Sequence, residues 1–202
     1  MRCGNRTFLR RYGVRLPHLS QPVHNCGMTE LDAAAAAPTQ RARRLFWLTP
    51  AIAIGVIALD QLSKWWAVTT LSDGQTIPVI GDLIQFWLVY NSGAAFSFGE
   101  GFTWVFTIAA ALAVAGISWY AWSVRSLAWT VTLGLLLGGA ATHLGDRLFR
   151  APSFGQGHVV DFIAYKGLFV GNVADIVIVT CGILLVLLTI LKVPTGRPGA
   201  SQ

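Results

Sequence analysis

Hydrophobic residues along this chain fall into four long blocks. They cover about Leu45–Val68, Thr103–Val124, Leu127–Leu148 and Gly171–Leu191. Each is close to the ~20 apolar residues that carry a helix across a bilayer core. The second and third blocks are divided by a short turn carrying Arg125, whereas the connections at about 69–102 and 149–170 are long. The first of these holds two strand-like pieces, Thr76–Ile80 and Leu83–Val89, around a Gly81-Asp82 turn. The pattern predicts an all-α membrane protein: four transmembrane helices with a small extracytoplasmic β-sheet cradle.

Composition agrees. The chain is 54% hydrophobic and only 12% charged, with a mean hydropathy of +0.57, against roughly 25% charged residues in soluble domains. The net charge of +6 does not mark a nucleic-acid-binding face, because the basic residues cluster in sequence. Arg2, Arg6, Arg10, Arg11 and Arg15 open the chain, and Arg41, Arg43 and Arg44 precede the first block. With Arg125, Lys192 and Arg197 they mark one side of the membrane, which the positive-inside rule makes cytoplasmic. Both termini then face the cytoplasm and the two long connections face outward. Trp65, Trp66, Trp87 and Trp104 suit the interface between hydrocarbon and water. Residues 1–44 read as a disordered basic cytoplasmic extension, with Met28 as an alternative start and no cleavable secretory signal. Residues 45–192 form one membrane domain, and 193–202 a cytoplasmic tail. Cys3, Cys26 and Cys181 have neither metal nor redox spacing. The charge count carries no information on oligomeric state.

The ionisable residues inside or beside the apolar blocks are few and grouped. Such groups are costly near lipid and are kept where they pair or do chemistry. Asp60 and Lys64 are one turn apart late in the first span. Asp146 and Arg147 close the third, while Asn172 and Asp175 open the fourth. Asp161 lies in the second outward connection. All gather at the outer end of the bundle. Asp60, Lys64, Asp146 and Arg147 are expected to form structural ion pairs, Asp60 with Lys64 and Asp146 with Arg147 or another partner. Asp161 and Asp175 have no cation within four residues, and two converging carboxyls suit a shared proton. The segment from Asn91 through Gly93 to Gly99 reads as a small, polar, flexible loop. Gly134, Gly138, Gly139, Ala140 and Ala141 give the small-residue spacing of tight helix packing. His143 reads as a helix-interior polar residue and His158 as an exposed loop histidine.

Five blocks in order resemble those of lipoprotein signal peptidase (signal peptidase II). They are Asp60-Gln61-Leu62-Ser63-Lys64, Asn91-Ser92-Gly93-Ala94-Ala95-Phe96, Gly138-Gly139-Ala140 with Asp146-Arg147, Val159-Val160-Asp161-Phe162, and Asn172-Val173-Ala174-Asp175. The resemblance covers about residues 45–192. It implies an aspartyl endopeptidase of the bacterial inner membrane that needs no cofactor. The implied substrates are prolipoproteins carrying a diacylglyceryl-modified Cys, cut just before that Cys, with membrane lipid as surroundings. The implied catalytic pair is Asp161 and Asp175. The implied supporting residues are Asp60, Lys64, Asn91, Gly93, Asp146, Arg147, Asn172 and Ala174, with Arg147 and Asn91 holding substrate backbone. This chain departs from the family's usual Gly-Asn at Thr142-His143, and carries Gly171 where Phe is usual before Asn172. Its stretch between Arg147 and Asp161 is longer than usual.

Three other readings stay open at this stage. His143, Asp146, His158 and Asp161 would offer nitrogen and oxygen to a metal, but no H-E-x-x-H run is present. Intramembrane Asp and Lys also serve proton-coupled transporters, although no inverted repeat or broken helix is visible. A non-catalytic scaffold would leave the aspartates without chemistry.

Overall fold

The computed structural model describes residues 40–93 and 102–196, with side chains from residue 45 onward. In chain order the elements are α1 (Gln40–Leu71), β1 (Thr76–Ile80), β2 (Ile84–Asn91), α2 (Thr103–Ser123), α3 (Leu127–Phe149), β3 (Val159–Tyr165), β4 (Phe169–Gly171) and α4 (Val173–Ile190). Four stretches are long and apolar enough to cross a membrane: Leu45–Leu71, Thr103–Ser123, Leu127–Phe149 and Val173–Ile190. The expected spans are therefore present, with shifted ends. The first helix starts at Gln40, inside the stretch read as an unstructured extension. The fourth starts at Val173, because Gly171 belongs to a strand and Asn172 caps the helix. Residues 1–39 and 197–202, with Cys3, Cys26 and the possible start at Met28, lie outside the described residues.

α3 is the hub, packed against α1, α2 and α4. On α1 the buried residues are Leu45, Thr49, Ala53, Val56, Asp60, Lys64, Ala67 and Leu71. Steps of three and four keep them on one face. The other face leaves Ile54, Leu59, Leu62 and Trp65 exposed, as suits lipid contact. α3 meets this stripe with glycine. A methyl built on Gly138 would lie 2.6 Å from Val56 Cβ and 2.8 Å from the Ala53 carbonyl oxygen, and one on Gly139 would lie 2.8 Å from Ile178 Cγ1 of α4. The expected small-residue packing is thus real and works on two neighbours at once.

The strands form one antiparallel sheet in the order β1-β2-β3-β4. Residues 159–163 of β3 are all buried, so no polar–apolar alternation betrays the strand; the second long connection was not expected to hold one. Phe162 and Ile163 cluster with Ala67 and Leu71 at the end of α1. Trp66, Phe86 and Phe162 form a ring triangle with centroid separations of 5.2, 6.2 and 5.9 Å. These contacts seat the sheet on one end of the bundle. Trp65, Trp87 and Trp104 are about half exposed or more, and Trp66 somewhat less, as an interface belt requires. At the opposite end, Trp129 Nε1 donates to the Val193 carbonyl at 2.9 Å and Arg125 N to the Thr195 carbonyl at 2.9 Å. The first residues after α4 thus fold back on the α2–α3 turn.

Candidate active site

Three local features deliver Asp161 and Asp175 to one place. β3 pairs with β2 so that Asn91 sits opposite Val159, diagonal to Asp161 on the same face. β4 pairs with β3, with Gly171 opposite Ile163. One residue later, extended Asn172 turns the chain into α4. The Asn172 side chain accepts from Asp175 N at 3.2 Å, and the Asp175 carboxylate (Oδ2) accepts from Asn172 N at 2.8 Å. This reciprocal cap satisfies donors that a helix start leaves unpaired. It also fixes the amide, so that Asn172 Nδ2 donates to Asp161 Oδ1 at 2.6 Å. Asn91 Nδ2 donates to Asp161 Oδ2 at 2.9 Å, while its own oxygen accepts from Gly93 N at 3.0 Å.

Asp161 is 3% exposed. Burial lifts its carboxyl from the ordinary 3.8 to about 6; nearby Asp175 adds to the lift, and the Asn91 and Asn172 donors and His143 oppose it. Asp175 is one-third exposed, and its Oδ1 lies 3.2 Å from His143 Nε2. It occupies the first turn of a helix, where the backbone dipoles favour negative charge. Both carboxyls line a cavity of about 680 Å³. Phe106 and Ala110 of α2 and Ile176, Val179 and Thr180 of α4 wall it, and β3 and β4 adjoin it. A carboxyl that tends to hold its proton, on the same cavity as a second carboxyl, is an arrangement able to serve acid–base chemistry.

The remaining expected residues separate into two groups. Asp60, Lys64 and Asp146 lie behind the pair, fully or almost fully buried. Lys64 Nζ bridges Asp60 Oδ2 at 2.6 Å and Asp146 Oδ2 at 2.7 Å. Asp60 Oδ1 accepts from Ala174 N at 2.9 Å, which ties the cluster to the start of α4. Asp146 does not pair with Arg147. Its other oxygen takes Arg150 Nε at 2.7 Å and Gln61 Nε2 at 2.9 Å, because Arg150, one turn on, shares its face. Arg147 instead donates to the carbonyls of Ser92 at 2.9 Å, Gly157 at 3.4 Å and Gly93, and lies 5.4 Å from the Phe106 ring centroid.

These contacts correct several expectations. Arg147 and Asn91 both donate within the protein, Arg147 to the Ser92, Gly93 and Gly157 carbonyls and Asn91 to Asp161. Asn91 is the last residue of β2; residues 94–99 of the loop expected after it lie outside the described residues. His143 lines the cavity and touches Asp175. His158 is half-buried, with its N–H on the Ala151 carbonyl at 2.9 Å. Gln61, Thr142 and Arg150 were missed. The i,i+4 spacing of Asp146 and Arg150 signalled the last; the other two meet their partners across more than 80 residues.

The sequence model of the signal peptidase (SPase) II family matches residues 52–192. The chain belongs to the signal peptidase II family. It is 46% identical to the lipoprotein signal peptidase of Mycobacterium avium (strain 104) over 163 residues, 81% of this chain and 90% of that protein. It is 46% identical to that of Streptomyces coelicolor over 149 residues, 74% of this chain and 73% of the relative. Two solved bacterial membrane enzymes share the fold, with TM-scores of 0.64 and 0.61 at 23% and 25% identity. They cover 76% and 72% of this chain, and the match covers 94% of each solved chain. This signal peptidase II family member is thus a multi-pass membrane protein of a peptidase family. The two departures expected from the sequence, His143 and Gly171, both border Asp175: His143 Nε2 lies 3.2 Å from its Oδ1, and a Cβ on Gly171 would sit 2.9 Å from its Oδ2.

Proposed function

We propose that this protein removes signal peptides from diacylglyceryl-modified prolipoproteins, cutting before the lipidated Cys, with Asp161 and Asp175 as an aspartyl dyad. The observation that carries the reading is the convergence of the two carboxyls on one cavity, joined through Asn172. Asp161 carries the shared proton and Asp175 is the base. Asp175 takes a proton from water as the water oxygen attacks the scissile carbonyl, and Asp161 gives its proton to the carbonyl oxygen. On collapse the C–N bond breaks, Asp175 passes its proton to the departing amine, and a hydroxyl proton returns to Asp161. Atoms and charge balance, and the pair is reset.

The apolar walls from α2 and α4 suit the substrate's acyl chains, which stay at membrane depth while the peptide lies under the sheet. Holding the scissile bond and the dyad at one depth is positioning catalysis, worth several kcal/mol in favourable cases. Asp60, Lys64, Asp146 and Ala174 support the start of α4, and Arg147 with Gly93 holds the loop beside the cavity. By the positive-inside rule the termini are cytoplasmic and the dyad faces the outer side of the bacterial inner membrane.

The test is processing of a diacylglyceryl-modified prolipoprotein peptide by purified protein in detergent. Wild type should cleave with chelator present, and folded Asp161→Asn and Asp175→Asn should each lose more than about 100-fold. Cleavage persisting in either variant would remove that residue from the chemistry, and loss in chelator would favour a metal.

A further inference from the structure

The molecule treats its two carboxyls unequally. Asp161 is held by two amides, from Asn91 and Asn172. Asp175 is held on Oδ2 by a backbone N–H and on Oδ1 by His143, an ionisable side chain where Asp161 has only neutral amides. Consecutive residues of α3 serve different carboxyl systems: Thr142 Oγ1 donates to Asp60 Oδ2 at 2.7 Å, while His143 reaches across to α4. The bare Gly171 backbone leaves room on the other side, where a Cβ would press on Asp175 Oδ2.

The ionisable surroundings are simple. Asp175 faces Asp161 of β3 and His143 of α3, with Lys64 of α1 acting on it from behind. Lys64 is already shared between Asp60 and Asp146. Arg147 of α3 acts on Asp161, and α2 contributes Phe106 and Ala110 to the cavity, neither of them charged. Among the described residues, His143 is thus the one basic side chain within ion-pair distance of Asp175.

We propose that His143 is a positioning residue for Asp175 that extends peptide cleavage to lower pH. The proposal rests on the dyad reading above. With the imidazole protonated, an imidazolium–carboxylate pair keeps Asp175 ionised where two bare carboxyls would take up a second proton and lose the base. With the imidazole neutral, Nε2–H still fixes Oδ1 in place. His143 touches neither water nor substrate in this scheme; it acts through Asp175.

The experiment measures kcat/KM for the lipidated peptide against pH, with full-length wild type and His143→Asn, His143→Gln and His143→Ala in detergent and Asp161→Asn as a control. The Asn and Gln variants keep a donor but not the charge. Their acid limb should move to higher pH by about 0.5–1 unit, with plateau rates reduced by less than about fivefold. The Ala variant should show the same displacement and lose more than about tenfold of the plateau. Acid limbs that superimpose on wild type, at whatever plateau, would overturn the proposal and leave the dyad standing. Cleavage by Asp161→Asn would sink the dyad reading instead. Melting in the same detergent identifies folded variants; if Ala unfolds, Asn and Gln decide the matter, since the pH displacement is read from them.

Discussion

Two pairs of carboxyls lie at the same end of this bundle, and they are built in opposite ways. Asp60 and Asp146 meet two cations, Lys64 and Arg150, so the group is formally neutral. Thr142, Gln61 and the Ala174 N–H fill further acceptor positions, and none of the three charged residues Asp60, Lys64 and Asp146 lines the cavity. Asp161 and Asp175 have no Lys or Arg within ion-pair distance among the described residues. Their donors are amides, one backbone N–H and one imidazole, and the pair opens on a cavity. Charge balance and access, more than proximity, set the two pairs apart. The neutral cluster ties α1, α3 and the start of α4 together; the second pair lacks such compensation, and in the proposed mechanism it keeps a proton for the chemistry.

Removing the shared cation is the harshest way to break this contrast. Lys64→Ala would leave two buried carboxylates short of their counter-ion, at a cost of about 3–5 kcal/mol. Denaturation in detergent should show a large loss of stability, and a change below about 1 kcal/mol would mean that the cluster is not structural. The second pair should answer differently. Asp161 has its folded-state carboxyl raised to about 6 from 3.8, so it binds a proton more tightly folded than unfolded. Its contribution is full below about 4 and lost as pH rises through about 6. Wild type should therefore lose stability relative to Asp161→Asn between pH 4 and 7, on the order of 2 kcal/mol. Parallel melting curves across that range would contradict the assigned proton. The mildest change is Gly171→Ala, which crowds Asp175 Oδ2 without altering charge. It should cut cleavage about tenfold, equivalent to about 1.4 kcal/mol, with little change in melting; an unchanged rate would show that Asp175 has room to move.

Much of this was legible in the sequence because its signals are local or lie in ordered motifs. Span length and hydropathy located four helices, i,i+4 spacing paired Asp60 with Lys64, and the spaced glycines marked the α1–α3 contact. The blocks around Asp161 and Asp175 pointed to the two residues that now share a cavity. What was hidden is non-local. β3 is buried along its core, so its pattern does not distinguish strand from loop or helix. Thr142 and Gln61 find their partners only once α1 and α3 pack. The Ser92 and Gly93 carbonyls that Arg147 holds lie 55 and 54 residues away in the chain, out of reach of any local pattern. His143 looked like an interior polar residue because its partner lies on another helix.

Asn172 connects both carboxyls by itself: its amide nitrogen holds Asp161, its amide oxygen caps the Asp175 N–H, and its own N–H holds the Asp175 carboxylate. The first turn of α4 and the assembled pair are consequently one cooperative unit. Fraying of that turn would separate the two carboxyls, and anything that seats both would protect the turn. Amide hydrogen exchange at residues 172–176 would therefore read out site assembly without any substrate being cut.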